Sequence, residues 1–189
     1  MRVIFYLALT VLAIMTCTRA DPTNGSCEES MAALKGTFPR LTASNLEKQT
    51  LSLPEGFGGE RNLLLIAFQR EQQKNVDTWL HEMKRFDWAP DFRYYELPTI
   101  DKLNPVARWF INSGMRRGIP DRNARARTIT LYLDKSSFRK VLNLPDEKQI
   151  YAILIDRSGR VLWRAAGDFD EAKAASLEMA LSRNTDSPR

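Results

Sequence analysis

Two nearly uninterrupted apolar runs anchor the pattern of this chain. Asn62-Leu63-Leu64-Leu65-Ile66-Ala67-Phe68 and Ile150-Tyr151-Ala152-Ile153-Leu154-Ile155 lack the alternation of a half-buried strand. Runs of that length predict strands covered on both faces. Between them the period changes. Val76, Trp79, Leu80 and Met83 recur at helical spacing and predict a helix from about Asn75 to Phe86, broken by Asp87-Trp88-Ala89-Pro90. Phe92-Arg93-Tyr94-Tyr95-Glu96-Leu97 is aromatic-rich and strand-like. A second helix begins near Asn104-Pro105, where proline suits the first turn, runs through Val106, Trp109 and Phe110, and ends by Gly118.

The second half repeats the alternation. Thr128 to Leu133 reads as a strand, and a short helix follows around Ser136 to Leu142. After the Ile150 strand, Arg157-Ser158-Gly159-Arg160 makes a tight turn into Val161-Leu162-Trp163-Arg164, a hairpin signal. Asp168, with Glu171 three residues on, is expected to cap a last helix that runs to about Arg183. Gly36 to Pro54 reads as an extended lead-in with short strands. From Asn62 the order is β-α-β-α-β-α-β-β-α, which requires a parallel pair joined by a helical crossover and closes with a β-hairpin plus helix. The prediction is therefore an α/β fold with a central mixed sheet flanked by helices. With 189 residues, 43% of them hydrophobic, the chain can bury one substantial core, assigned to residues 36–183. The buried strand, the paired aromatic helices and the closing hairpin are expected to unfold as one cooperative unit.

The ends read differently. Arg2 precedes an apolar run from Val3 to Met15, and Thr18-Arg19-Ala20 supplies the small residues of a cleavage site. Residues 1–20 are read as a signal peptide, 21–35 as a flexible polar leader and 184–189 as a disordered tail. The run is short for a membrane span. The expectation is export to a periplasmic or extracellular setting; lipid attachment at Cys17 and an uncleaved anchor are the alternatives. Cleavage removes Cys17 and leaves Cys27 alone, which excludes an internal disulfide. The single histidine, His81, sits opposite the apolar stripe of its helix, so neither a zinc site nor Ser-His-Asp chemistry is expected. Gly56-Phe57-Gly58-Gly59 precedes a strand, whereas a phosphate-binding loop would follow one. No metal and no cofactor is expected. Asn24-Gly25-Ser26 is formally a glycosylation sequon, meaningful only in a eukaryotic secretory pathway.

Gly36-Thr37-Phe38-Pro39, Leu51-Ser52-Leu53-Pro54 and Asn62-Leu63-Leu64-Leu65 resemble the lead-in of peroxiredoxin-type and periplasmic thioredoxin-like domains. Leu154-Ile155-Asp156-Arg157-Ser158-Gly159-Arg160-Val161, followed by Gly167, resembles their closing hairpin. The resemblance implies a thioredoxin-like fold over Gly36 to Arg183. It also implies redox chemistry that the residues do not support. Members of that family place Cys-x-x-Cys, or one peroxidatic Cys, in the turn after the first core strand, where the helix N-terminus activates the thiol. Here Gln69-Arg70-Glu71-Gln72-Gln73-Lys74-Asn75-Val76 stands instead. Where thioredoxins carry a cis-proline, this chain has Ile150, and a cis bond before a non-proline residue costs about 2.5–4 kcal/mol. A looser resemblance, to the mitochondrial ATP synthase assembly factors, lies in Ala107-Arg108-Trp109-Phe110, Arg116-Arg117-Gly118-Ile119-Pro120, Ser137-Phe138-Arg139-Lys140-Val141-Leu142 and Val161-Leu162-Trp163-Arg164. That family is thioredoxin-like, lacks the cysteine pair and chaperones a membrane subunit. The amino-terminal segment lacks the Arg- and Ser-rich amphipathic character of a mitochondrial address.

Charge adds one surface. Arg108, Arg116, Arg117, Arg122, Arg125 and Arg127 fall in a stretch whose only acid is Asp121, an excess as large as the net charge of +5 for the whole chain. One reading is a solvated connection whose arginine stems lie over apolar surface. The other is a contact site for an acidic segment of a client protein or for an anionic membrane surface, since arginine bonds carboxylate and phosphate bidentately. Nucleic acid is not expected, for want of any RNA-reading or helix-turn-helix motif. The functional expectation is a non-enzymatic, chaperone-like binding or assembly protein acting outside the cytoplasm or at a membrane face. The rival is an atypical thiol oxidoreductase or peroxidase using Cys27, which stands far ahead of the first core strand without a resolving partner.

Overall fold

A computed structural model describes residues 36–183. Residues 1–35, with Cys17, the Asn24 sequon and Cys27, and residues 184–189 lie outside the described residues. Seven strands form one sheet: β1 (Leu41–Asn45), β2 (Thr50–Leu53), β3 (Arg61–Ala67), β4 (Phe92–Ile100), β5 (Ile129–Tyr132), β6 (Tyr151–Asp156) and β7 (Val161–Ala166). Their spatial order is β2-β1-β5-β4-β3-β6-β7. β3 pairs parallel with β4 and β4 with β5, while β6 and β7 add antiparallel at one edge and β1 and β2 at the other. Among the described residues five α-helices flank the sheet: α1 (Gln73–Glu82), α2 (Pro105–Gly118), α3 (Arg122–Arg127), α4 (Lys135–Val141) and α5 (Glu171–Arg183).

The continuous apolar character of β3 follows from burial on both faces. Leu64 and Ile66 enter a core with Phe38, Leu97, Phe138 and Ile153 under α4. Leu63 and Leu65 enter a second core with Val76, Trp79, Leu154 and Leu177 under α1 and α5. Trp79, fully buried, stacks edge-on against Trp163 and Phe169 and donates its indole N–H to the Gly167 carbonyl at 3.0 Å. Gly159 closes the β6–β7 hairpin at φ +89°. A Cβ there would meet a Pro54 carbon at 2.9 Å and the Phe38 carbonyl at 3.2 Å, so the turn needs glycine for space as well as conformation.

Four sequence expectations change. The basic connection after Gly118 is not a loop throughout: Arg122–Arg127 forms α3, because Asp121 accepts the amides of Asn123 at 3.1 Å and Ala124 at 3.0 Å. The cap of α5 is Asp170, whose Oδ1 accepts the Lys173 amide at 2.8 Å. Asp168 instead accepts a bond from the side-chain Nδ2 of Asn75, and Glu171 pairs with Arg85. α1 begins at Gln73, two residues early, because a 3-10 turn at Arg70–Gln72 leads into it. The aromatic stripe of α2 joins neither core, and no residue of that helix is buried.

Candidate functional site

The turn after β3 is where this fold places a reactive side chain: at the C-terminal end of a parallel strand and the N-terminus of a helix. The residue that fills it is Gln72. It is 4% exposed and its polar atoms are occupied. Oε1 accepts the amides of Phe68 at 2.8 Å and Gln69 at 3.2 Å, and Nε2 donates to the Glu147 carbonyl at 2.7 Å. Glu147 is held in turn by Lys135 at 2.7 Å and Arg139 at 3.3 Å, both from α4. The turn is therefore closed by an amide that neither titrates nor attacks, and it is tied to the loop preceding β6. Ile150, at the head of that strand, is fully buried, and the cis peptide bond among the described residues is Leu53–Pro54.

One acid lies beneath the start of α1. Glu96, on β4, is 8% exposed. Its oxygens accept bonds from the Gln73 side chain and the Thr128 hydroxyl, each at 3.3 Å. Burial raises its pKa, Asp77 adds to the rise, and the two hydrogen bonds and Arg127 oppose it. Nothing in the aromatic pattern of β4 singled out this acid, although a lone Glu in a buried strand is itself a signal. Among the described residues no group of His, Cys, Asp or Glu side chains could hold a metal ion. His81 is exposed.

The six arginines do not form one patch. Arg116, Arg122 and Arg125 converge on Glu47, in the β1–β2 turn, at 3.7, 3.3 and 2.6 Å. The Arg125 hydrogen bond foremost holds the Glu47 carboxyl below its ordinary range. Arg125 also donates to the carbonyls of Ile119 at 2.9 Å and Pro120 at 2.7 Å, and Arg116 donates to the Leu46 carbonyl at 2.8 Å. Arg108 lies 5.0 Å over the Tyr132 ring, and Arg127 lies 4.6 Å over the Tyr94 ring on the side of Glu96. Arg117 is exposed and enters none of the ion pairs among the described residues. The sequence suggested a cationic loop; the structure makes Arg116, Arg122 and Arg125 a clamp on one carboxylate, as Glu47 has three arginines to itself.

Beside the clamp, α2 and the β1–β2 turn enclose a groove of about 610 Å³ lined by Leu46, Lys48, Trp109, Arg116 and Arg117, among others. Along the adjoining ridge Val106, Trp109 and Phe110 stand 65%, 59% and 64% exposed. This apolar face was legible as a stripe, but not as a stripe that faces solvent.

No known protein-family model matches the chain, and no curated protein sequence matches it. Solved structures do share its architecture. The thioredoxin domain of a thiol-disulfide oxidoreductase from Bacteroides vulgatus superposes with a TM-score of 0.50 at 16% identity, over 77% of this chain and 95% of that one. A member of the Sco family of cytochrome c oxidase assembly proteins gives 0.53 at 15% identity, over 79% and 95%. The exposed lipoprotein thioredoxin of Streptococcus pneumoniae gives 0.50 at 12% identity, over 76% and 99%. At such identities the likeness shows the fold, and that fold is thioredoxin-like.

Proposed function

We propose that this thioredoxin-fold chain is a non-enzymatic binding or assembly protein that acts outside the cytoplasm or at a membrane face. The observation that carries the proposal is Gln72. A thioredoxin-type reaction needs an ionisable sulfur where that buried amide spends its oxygen on two backbone amides and its nitrogen on the Glu147 carbonyl. The scaffold then serves to present surface. The surface on offer is basic: Arg117 and Lys48 border the groove beside α2, and the clamp on Glu47 leaves three arginines sharing one carboxylate. Such a surface favours a partner that carries negative charge, an acidic segment of a client protein or anionic head groups. The Sco relative of this fold is itself an assembly protein, and the sequence resemblance to ATP synthase assembly factors points the same way. The apolar run from Val3 to Met15 supports export or membrane attachment.

The test is capture from solubilised membranes with the tagged full chain, at low and at raised salt. The proposal expects a defined partner held at low salt and released as exposed charges are screened over a Debye length of about 8 Å near physiological ionic strength. A chain that holds nothing, or whose captured material is indifferent to salt, contradicts it.

A further inference from the structure

Helix Pro105–Gly118 is amphipathic but folded with its faces exchanged. Its inward side is polar: Arg108 stacks on Tyr132, Asn112 Oδ1 accepts the Tyr132 hydroxyl at 2.9 Å, and Arg116 donates to the Leu46 carbonyl. Its outward side holds Val106, Trp109 and Phe110, each more than half exposed, with the two rings 5.0 Å apart. A contiguous cluster of large apolar groups on a surface marks something that covers it.

Shape and charge say what. Val106 and Phe110 stand on the outer side of the helix, and Trp109 joins them to the groove that it lines with Lys48, Arg116 and Arg117. A protein partner would have to match helix face and groove together, but a bilayer accepts a helix lying in its plane without shape matching. The helix contains no Asp or Glu. Exposed Lys102 precedes it and exposed Arg117 nearly ends it, and neither enters an ion pair among the described residues. The nearest acids along the chain are engaged elsewhere, Asp101 with Lys135 and Asp121 with the start of α3. Aromatic and aliphatic side chains on one face, with cations at both ends, complement a leaflet of anionic lipid.

We propose that helix Pro105–Gly118 docks on an anionic bilayer surface, with Val106, Trp109 and Phe110 in the boundary between head groups and acyl chains and Lys102, Lys48 and Arg117 on the phosphates. This deepens the binding-protein reading and rests on it for treating the surface, not the turn at Gln72, as the working part. The contact is reversible and salt-dependent, because three apolar side chains and a few exposed cations make a modest anchor.

The test uses the full chain with vesicles of equimolar phosphatidylglycerol and phosphatidylcholine whose acyl chains carry bromine, a short-range quencher. All four tryptophans lie within residues 79–163, and Trp79 and Trp163 are buried, so quenching reports Trp88 or Trp109 whatever the segment at Val3 to Met15 does. Quenching is expected in the wild type and in Trp88→Phe, and should vanish in Trp109→Phe. The Val106→Ser/Phe110→Ser pair should stay folded and weaken partition about tenfold or more. Vesicles of phosphatidylcholine alone should bind far less. The proposal is overturned by quenching that survives Trp109→Phe, by partition that ignores the serine pair or the lipid charge, by unfolding of the serine pair, or by a protein captured through Trp109 without vesicle binding. Failure of the underlying reading would appear separately, as thiol turnover with insulin or peroxide, and does not alter the quenching result.

Discussion

Gln72 donates through Nε2 to the backbone carbonyl of Glu147 at 2.7 Å, which fastens the turn after β3 to the loop before β6. In thioredoxins those two segments face each other across the reactive sulfur, one holding the nucleophile and the other the cis-proline. Here one side chain spans the gap. The same residue also accepts two backbone amides, of Phe68 and of Gln69, so a single side-chain amide holds the turn together and ties it to that loop.

Gln72→Ala should therefore be felt in stability. It strands the Phe68 and Gln69 amides and the Glu147 carbonyl, and a buried polar group left without its partner costs about 1–3 kcal/mol. Urea unfolding checks this: the midpoint should fall without a change in slope. An unchanged midpoint would mean that water replaces the amide at no cost.

The arginines should separate by what they touch. Arg125 is 17% exposed and bonds Glu47 and two carbonyls, so Arg125→Gln should destabilise by about 1–3 kcal/mol. Arg122 is 83% exposed, and Arg117 is exposed without an ion pair among the described residues; Arg122→Gln and Arg117→Gln should each stay within about 0.5 kcal/mol. Thermal unfolding of the three variants tests the ranking. Equal effects would show that the clamp on Glu47 is incidental.

Acidity should act through Glu96. Its pKa is raised in the folded state, by burial first and Asp77 second, against the Gln73 and Thr128 hydrogen bonds and the charge of Arg127. Between its unfolded and folded pKa values the native state holds the extra proton, so this group's contribution to stability falls as pH rises through that window. Glu96→Gln should be more stable than the wild type at neutral pH, and the difference should shrink toward acid. Wild-type Glu47, Asp134 and Asp170, whose pKa values are lowered, push the other way in both proteins and cancel in the comparison. Melting curves from mildly acidic to neutral pH provide the measurement; a difference that does not vary with pH would contradict it.

The outward face of α2 should matter little to folding. Trp109→Ser and Phe110→Ser remove side chains that touch neither core and should change stability by no more than about 0.5 kcal/mol. Trp79→Ala, in the second core, should cost about 3–5 kcal/mol. Calorimetry of the two sets would show the contrast, and a large loss at Trp109 would place that residue inside a structural contact.

Much of this fold was written in periodicity. The apolar runs of β3 and β6 announced strands covered on both faces, the Val76, Trp79, Met83 stripe announced α1, and Ser158-Gly159 announced the hairpin, because each signal is local. What was missed was either a choice between neighbouring local signals or a partner far along the chain. Asp168 and Glu171 fit the spacing of a capping box, yet Asp170 lies where the helix begins and takes the Lys173 amide. The Arg122 segment looked like a loop because its arginines have no apolar face, and it is helical through the cap at Asp121. Helical period gives the Trp109 stripe but not the side that meets solvent, which depends on Tyr132 and Leu46 receiving the polar side instead. Gln72 carried no pattern at all; its role depends on Glu147, far along the chain.

The central claim is that this scaffold carries no thiol chemistry, and turnover of insulin disulfides and of hydrogen peroxide by the purified full chain tests it most directly. Both rates should equal the uncatalysed background and should be the same for the wild type, Cys27→Ser and Gln72→Ala. Turnover above background that disappears in Cys27→Ser would contradict the account and make the chain an oxidoreductase or peroxidase.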